Sequence, residues 1–219
     1  MKKLSKVIPK YAYIPFGMML ATIAISFYAT RPFTAGGFHY NVSIPLDDKI
    51  PFVPAFIVVY ILAYGQWVAT TVLAAREDMD FYFKAASVVV VGNLLAIPFF
   101  LFLPTAMVRP EVQGNGIFEW LTRLIYACDT PDNLFPSLHC LDSWVCMRVV
   151  CRMKNTPTWY KWANGGFSFL VFAAVVLVKQ HLFLDILGGI LVAEAAFLVV
   201  KWLKAERMMY RVVPKHWQS

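Results

Sequence analysis

Charged residues are scarce in this chain of 219 residues, because only 15% are Asp, Glu, Lys or Arg, whereas 59% are apolar. A water-soluble domain of this size cannot bury so large an apolar fraction, and disordered segments and coiled coils need far more charge. The formal net charge of +7 is spread between long apolar stretches and is not gathered in basic runs, so we expect no nucleic-acid partner. The composition predicts an integral membrane protein.

Other sequence signals are also missing. No internal repeat and no low-complexity segment divides the chain, so we interpret residues 1–219 as a single domain. The cysteines form neither a C-x-x-C pair nor a zinc-binding pattern. We interpret all four as small core residues: Cys128, Cys140, Cys146 and Cys151.

Long apolar runs are the strongest signal that is present. A bilayer core of about 30 Å requires about 20 mostly apolar helical residues. Stretches of this kind cover residues 11–30, 52–75, 81–103, 134–150, 162–178 and 183–203, and none alternates like a barrel strand. Because backbone in lipid must satisfy its own hydrogen bonds, the sequence predicts an all-α, polytopic membrane protein with six transmembrane helices in one bundle.

The positions of Lys and Arg indicate the orientation, since cationic loops are retained on the cytoplasmic side. With the N-terminus inside, 15 of the 20 Lys and Arg residues lie in cytoplasmic segments and five lie outside. We therefore expect both termini to be cytoplasmic and the protein to lie in the plasma membrane, and we interpret the first run as a span. A cleaved signal peptide is the alternative, but the run is long and has no clear cleavage site.

The longest loop joins the third and fourth predicted spans, and part of it has helical apolar spacing. This spacing predicts a short helix near residues 116–127, with Trp120 on its apolar side and Glu119 and Arg123 on its polar side. An interfacial helix lying at the headgroup level and a helix packed against the bundle both fit this pattern. Tryptophans near the spans, Trp67 among them, are interpreted as interfacial anchors.

Ionisable residues at membrane depth are costly, so each is a candidate functional group. Five of them lie in three chain segments at the predicted extracytoplasmic ends of the spans: Arg109, His139, Lys179, His181 and Asp185. Two cations, two imidazoles and a carboxylate suit a phosphate ester, whose cleavage needs anion binding, a nucleophile and a proton donor. We expect no cofactor and no metal, because the neighbouring cations would repel Zn²⁺.

The chemistry of these side chains suggests a role for each. His181 and Asp185 are four residues apart, which on a helix places the carboxylate beside the imidazole. Asp185 would fix the tautomer of His181 and leave its other ring nitrogen free to attack phosphorus, while His139 would protonate the leaving group. The phosphate oxygens would be bound by Arg109, Ser137 and Lys179.

Three short segments stand in the order of a known set of motifs: R-P at residues 109–110, F-P-S-L-H at residues 135–139, and K-Q-H at residues 179–181 with Asp185 four residues later. They resemble the motifs of the type 2 phosphatidic acid phosphatase superfamily, whose six-helix membrane core covers most of this chain. The resemblance implies a metal-independent reaction in which His139 is the general acid, His181 forms a phosphohistidine and Asp185 orients it.

Three positions depart from the phosphatase motifs. Phe102 and Val175 stand where that family has Lys and Arg, and Leu138 replaces a Gly. The P-S-L-H and K-Q-H forms look more like the branch that includes inositol phosphorylceramide synthases. This similarity leaves water and an alcohol open as acceptors of the phosphoryl group.

The leading functional hypothesis is an integral membrane lipid phosphatase that hydrolyses a lipid phosphate ester or diphosphate at an extracytoplasmic site. The first alternative is a head-group phosphotransferase that uses the same site, with a membrane lipid as donor and an alcohol-bearing lipid as acceptor. The second alternative is a lipid-binding or transport protein without catalysis.

Overall fold

The computed structural model describes residues 8–218, and these residues form an all-helical fold without strands. The helices are α1 (Tyr13–Ala24), α2 (Arg31–Thr34), α3 (Ile57–Glu77), α4 (Met79–Phe102), α5 (Ile117–Cys128), α6 (Leu138–Arg152), α7 (Thr158–Leu177), α8 (Phe183–Leu203) and α9 (Arg207–Val212). A π-helical segment, Ile25–Ala29, joins α1 to α2. The predicted all-α, polytopic class is confirmed.

Five helical segments are long and apolar enough to cross a membrane: Lys10–Thr34, Pro54–Glu77, Met79–Phe102, Thr158–Leu177 and Phe183–Leu203. They correspond to five of the six predicted spans. The remaining prediction, residues 134–150, differs from the structure because the helix begins only at Leu138 and has 15 residues, a length of about 22 Å. The cis peptide bond Phe135–Pro136 and the cap residue Ser137 precede this start.

Helix α6 is the centre of the bundle, which explains how it tolerates its polar residues. Ten of its 15 residues are buried, and it packs against α3, α7 and α8. Leu141 and Val145 join one hydrophobic cluster with α4 and α8, while Cys140 joins a second cluster with α3 and α7. Since neighbouring helices surround α6, its polar side chains contact protein instead of lipid.

The described ends of the chain lie at one end of the bundle, together with two interhelical turns. The hydroxyl of Tyr11 donates to the carbonyl of Ala75 at 2.7 Å, and the hydroxyl of Tyr82 donates to the carbonyl of Ala12 at 3.0 Å. Glu77 accepts hydrogen bonds from the α6–α7 turn, and α9 packs against α4. We name this the terminal end. Its cytoplasmic location stays a prediction.

The loop helix predicted near residues 116–127 is α5. Leu121 and Ile125 pack against the second hydrophobic cluster, so one face of α5 contacts the bundle. Ile117, Trp120 and Leu124 are exposed on the helix. Helix α5 therefore combines the two arrangements that its sequence allowed, a face packed on the bundle and an apolar face left open.

Candidate active site

A cavity of about 230 Å³ lies at the end of the bundle opposite the terminal end. Residues of α1, α3 and the segment that leads into α6 form its walls, and both His139 and His181 line it. We name it the histidine cavity. Most of the remaining lining is apolar or aromatic, including Leu20 and Phe27 of the first helical segment.

His181 is positioned by the first turn of α8. Its Nδ1 atom lies 3.3 Å from Oδ2 of Asp185, and the same oxygen accepts the backbone N–H of Leu182 at 2.8 Å. The sequence predicted that His181 and Asp185 lie on one helix. This prediction was wrong for His181, because the helix begins only at Phe183. The carboxylate of Asp185, fully buried, both caps α8 and directs Nε2 of His181 away from itself.

His139 occupies the second position of α6 and is enclosed by aromatic rings from α3. Its imidazole stacks on Tyr60 with ring centroids 4.0 Å apart, and the rings of Tyr64 and Trp67 lie 5.2 and 5.1 Å away. Its Nε2 atom is buried and has no hydrogen-bond partner among residues 8–218. A buried nitrogen without a partner is a cost unless a ligand supplies one.

The two imidazole rings lie 6.5 Å apart, centroid to centroid, because the starts of α6 and α8 are in direct contact. The N–H of Ser137 donates to the carbonyl of Asp185 at 3.1 Å. Two glycines allow this approach: a Cβ at Gly188 would collide with the ring of Phe135, and a Cβ at Gly189 would lie 2.5 Å from the carbonyl oxygen of Ser137. The helix contact thus sets the distance between the histidines.

Arg109 lies beside the site but does not line the histidine cavity. Its guanidinium donates to the carbonyl of Asp129 and to Oε1 of Gln180, the neighbour of His181, and rests 4.5 Å above the ring of Tyr126. Burial lowers the pKa of Arg109, while the charge of Asp129 raises it. The guanidinium stays charged and is held by neutral acceptors.

Lys179 and Ser137 have other contacts in this structure. The ammonium of Lys179 donates to the carbonyls of Asp47 at 3.0 Å and Ile50 at 2.7 Å, so it fastens the segment before α3. Ser137 is fully buried, and its hydroxyl oxygen accepts the N–H of Cys140 at 3.3 Å as the cap of α6. Neither side chain lines the histidine cavity, and their phosphate-binding roles stay predictions.

The sequence reasoning missed two groups of cavity residues. Trp67, interpreted as an interfacial anchor, instead lines the cavity with Tyr60 and Tyr64, and its indole N–H donates to Ser143 at 3.2 Å. The spacing of four and three residues along α3, which places all three rings on one face, was the available signal.

The second group is an ion-pair cluster at the cavity wall, whose acidic residues the sequence suggested as helix caps or head-group contacts but whose ion pairs it did not predict. Asp129 and Asp132 line the cavity, and Arg31 neutralises both, with nitrogen–oxygen distances of 2.6 and 3.3 Å. Because Arg31 is about 100 residues away from both aspartates in the chain, no local sequence pattern predicts these ion pairs. Within the described part of the chain, no cluster of three or more His, Cys, Asp or Glu could hold a metal ion.

Long apolar helices around a central polar helix, with paired histidines at one end, define an integral membrane protein of the helical-bundle class. The family profile described as the PAP2 superfamily matches residues 35–199, and the chain belongs to this superfamily. A function of the phosphatase or phosphotransferase type follows from this membership. No curated protein and no solved structure gave a match to the chain.

Proposed function

We propose that the chain is a lipid phosphatase that cleaves a phosphate ester or diphosphate through a phosphohistidine at His181. The observation that carries this proposal is the 6.5 Å separation of two imidazoles, one of them oriented by a buried carboxylate. Reacting atoms in a productive complex lie about 3–3.5 Å apart. A phosphoryl group between the rings could therefore contact Nε2 of His181 on one side and place its leaving oxygen near His139 on the other.

In the first step, Nε2 of His181 forms a bond to phosphorus while the bond from phosphorus to the leaving oxygen breaks. Protonated His139 gives its proton to that oxygen, and the lipid alcohol departs. In the second step, neutral His139 takes a proton from water, the resulting oxygen attacks phosphorus, and the bond to His181 breaks. The Nδ1–H of His181 donates to the carboxylate of Asp185, whose negative charge stabilises the positive charge on the His181 ring during both steps.

Phosphate binding in this proposal requires Arg109 to exchange its present acceptors. A backbone carbonyl and a glutamine amide are neutral acceptors, and charged phosphate oxygens form stronger, often bidentate bonds with a guanidinium. Lys179 would have to leave the carbonyls of Asp47 and Ile50 in the same way. Metal independence, the extracytoplasmic orientation and the plasma membrane location belong to the proposal as well.

A transferase function is the second candidate, and a neighbouring cavity favours it. A cavity of about 290 Å³, lined mainly by apolar residues, shares Leu20, Ile23, Tyr64 and Trp67 with the histidine cavity. This adjacent cavity offers room for a second lipid whose hydroxyl replaces water in the second step. This arrangement would resemble the inositol phosphorylceramide synthase branch.

Assays on the purified full-length protein distinguish these functions. Lipid phosphates, lipid diphosphates and phosphodiesters are incubated with and without an alcohol-bearing lipid, each in buffer with and without EDTA. A phosphatase releases inorganic phosphate without an acceptor, whereas a transferase forms a new lipid only with one. If no phosphorus–oxygen bond is cleaved in any of these mixtures, the protein is not an enzyme of either kind, and lipid binding or transport becomes the better explanation.

Replacing Asp185 with asparagine is expected to lower turnover by roughly 10²-fold or more. The amide can still accept the N–H of Leu182, but it is neutral and cannot stabilise a positive His181 ring. The measurement is the single-turnover rate on whichever lipid the assay identifies, with Asp80→Asn at the terminal end as the matched control. Wild-type turnover in Asp185→Asn would remove the carboxylate from the mechanism.

A further inference from the structure

A basic cavity of about 510 Å³ lies at the terminal end, between α4, α6 and α8. Asp185, at the start of α8, and Lys201, in its last turn, are 16 residues apart, which corresponds to about 24 Å along the helix. The cavity is therefore separate from the histidine cavity. Its lining contains two acidic residues, Glu194 and Glu206, and five cations: Lys84, Arg148, Arg152, Lys201 and Lys204.

Most of the positive charge in this basic cavity is not neutralised. Arg148 forms an ion pair with Glu194, and Lys84 lies 3.3 Å from the exposed carboxylate of Asp80. Within residues 8–218, the other three cations have no carboxylate within salt-bridge distance: Arg152, Lys201 and Lys204. Cations at the C-terminal end of a helix are common, since they offset the helix dipole, but here the ends of α6 and α8 bring these three cations to one concave space.

The walls of the basic cavity are apolar, which distinguishes it from a site for a soluble anion. Val88, Val149 and Leu198 line it, and Leu198 is half exposed on the outer surface of α8. The guanidinium groups of Arg148 and Arg152 lie 5.1 and 5.2 Å from the ring of Phe197. These cation–π distances place both groups beside the apolar wall, where a guanidinium can bind phosphate oxygens with its planar fork.

We propose that the basic cavity binds one anionic phospholipid from the leaflet at the terminal end. Its phosphate contacts Arg152 and Lys201, and one acyl chain follows Val88 and Leu198 towards the surrounding lipid. A basic hollow between membrane helices is typical of such lipid sites. Because α6 and α8 carry His139 and Asp185 at their opposite ends, a lipid that bridges the two helices stabilises the bundle without touching the reacting groups.

The test compares lipids on the purified full-length protein in detergent micelles. Thermal unfolding is followed with added phosphatidylglycerol, with phosphatidylcholine and with inorganic phosphate, and native mass spectrometry counts the lipids retained. We expect phosphatidylglycerol to raise Tm and to be retained at one molecule per chain, whereas phosphatidylcholine and inorganic phosphate do neither. A ligand that binds only the folded state stabilises it in proportion to the logarithm of its concentration over Kd.

The double variant Arg152→Gln/Lys201→Gln should bind phosphatidylglycerol roughly tenfold or more weakly, because each cation near an anionic lipid contributes to its binding. The matched control is Arg211→Gln/Lys215→Gln, which removes the same charge from exposed positions outside the cavity. Equal losses in both variants would show a general charge effect and overturn the proposal. An equal Tm increase with phosphatidylcholine, or with inorganic phosphate alone, overturns it on the wild-type protein, even if the double variant does not fold.

Discussion

Replacing His181 with alanine is expected to abolish formation of a covalent phosphoenzyme and to lower turnover by at least roughly 10²-fold. The reason is that Asp185 contacts Nδ1 of this ring and leaves Nε2 free in the histidine cavity. The proposed mechanism assigns the role of nucleophile to no other side chain in this cavity. The measurement uses a lipid substrate labelled on phosphorus. The protein is quenched in base, where a phosphohistidine survives, and the label on the polypeptide is counted.

Two further variants test the assignment of His181. His216→Ala changes an exposed histidine at the terminal end and should retain full labelling. His139→Ala should lose more activity on a lipid monoester than on a lipid diphosphate, because an alkoxide leaving group needs a proton more than a phosphate does. Label on His181→Ala at the wild-type level would mean that another side chain is the nucleophile, and the proposed mechanism would be wrong.

The fold was largely predictable because long apolar runs determine helices in a membrane protein. The predicted spans that correspond to α4 and α8 agree with the structure to within two residues, whereas α3 begins five residues later than predicted and α7 begins four residues earlier. Helix α6 is the one predicted span that is not among the helices long and apolar enough to cross a membrane. A polar helix surrounded by other helices has no continuous apolar run. Its start is set by Pro136 and the cap Ser137, and a hydropathy pattern does not register either signal.

The histidines of the candidate site were predictable, but several of its contacts were not. Motif spacing singled out His139, His181 and Asp185, and the structure brings their side chains together where α6 and α8 begin, at the same end of the bundle. Spacing does not determine where a long side chain ends, and Lys179 turns towards the carbonyls of Asp47 and Ile50. Its backbone has a φ of 50°, which directs the chain through a sharp turn before α8.

Replacing Gly189 with alanine is expected to have the second-largest effect, although this residue does not touch the histidine cavity. The added Cβ would lie 2.5 Å from the carbonyl oxygen of Ser137 and 3.0 Å from both Cβ of Cys140 and the backbone nitrogen of Leu141. Two of these three neighbours are backbone atoms of α6 or its cap and cannot rotate away. The helices must separate, which we expect to cost about 1–3 kcal/mol of stability.

Separation of α6 from α8 moves His139 away from His181, since one ring is carried by each helix start. A displacement of about 1 Å between reacting groups can cost 10²-fold in rate, so activity in Gly189→Ala should fall by more than its folded fraction does. Thermal unfolding and turnover measured on the same sample separate the two effects. The control is Gly166→Ala in α7, where a Cβ meets no atom within 4 Å and alanine should leave stability unchanged or raise it by up to about 1 kcal/mol. If Gly189→Ala matched this control in Tm and turnover, the close contact of the two helices would not be what sets the distance between the histidines.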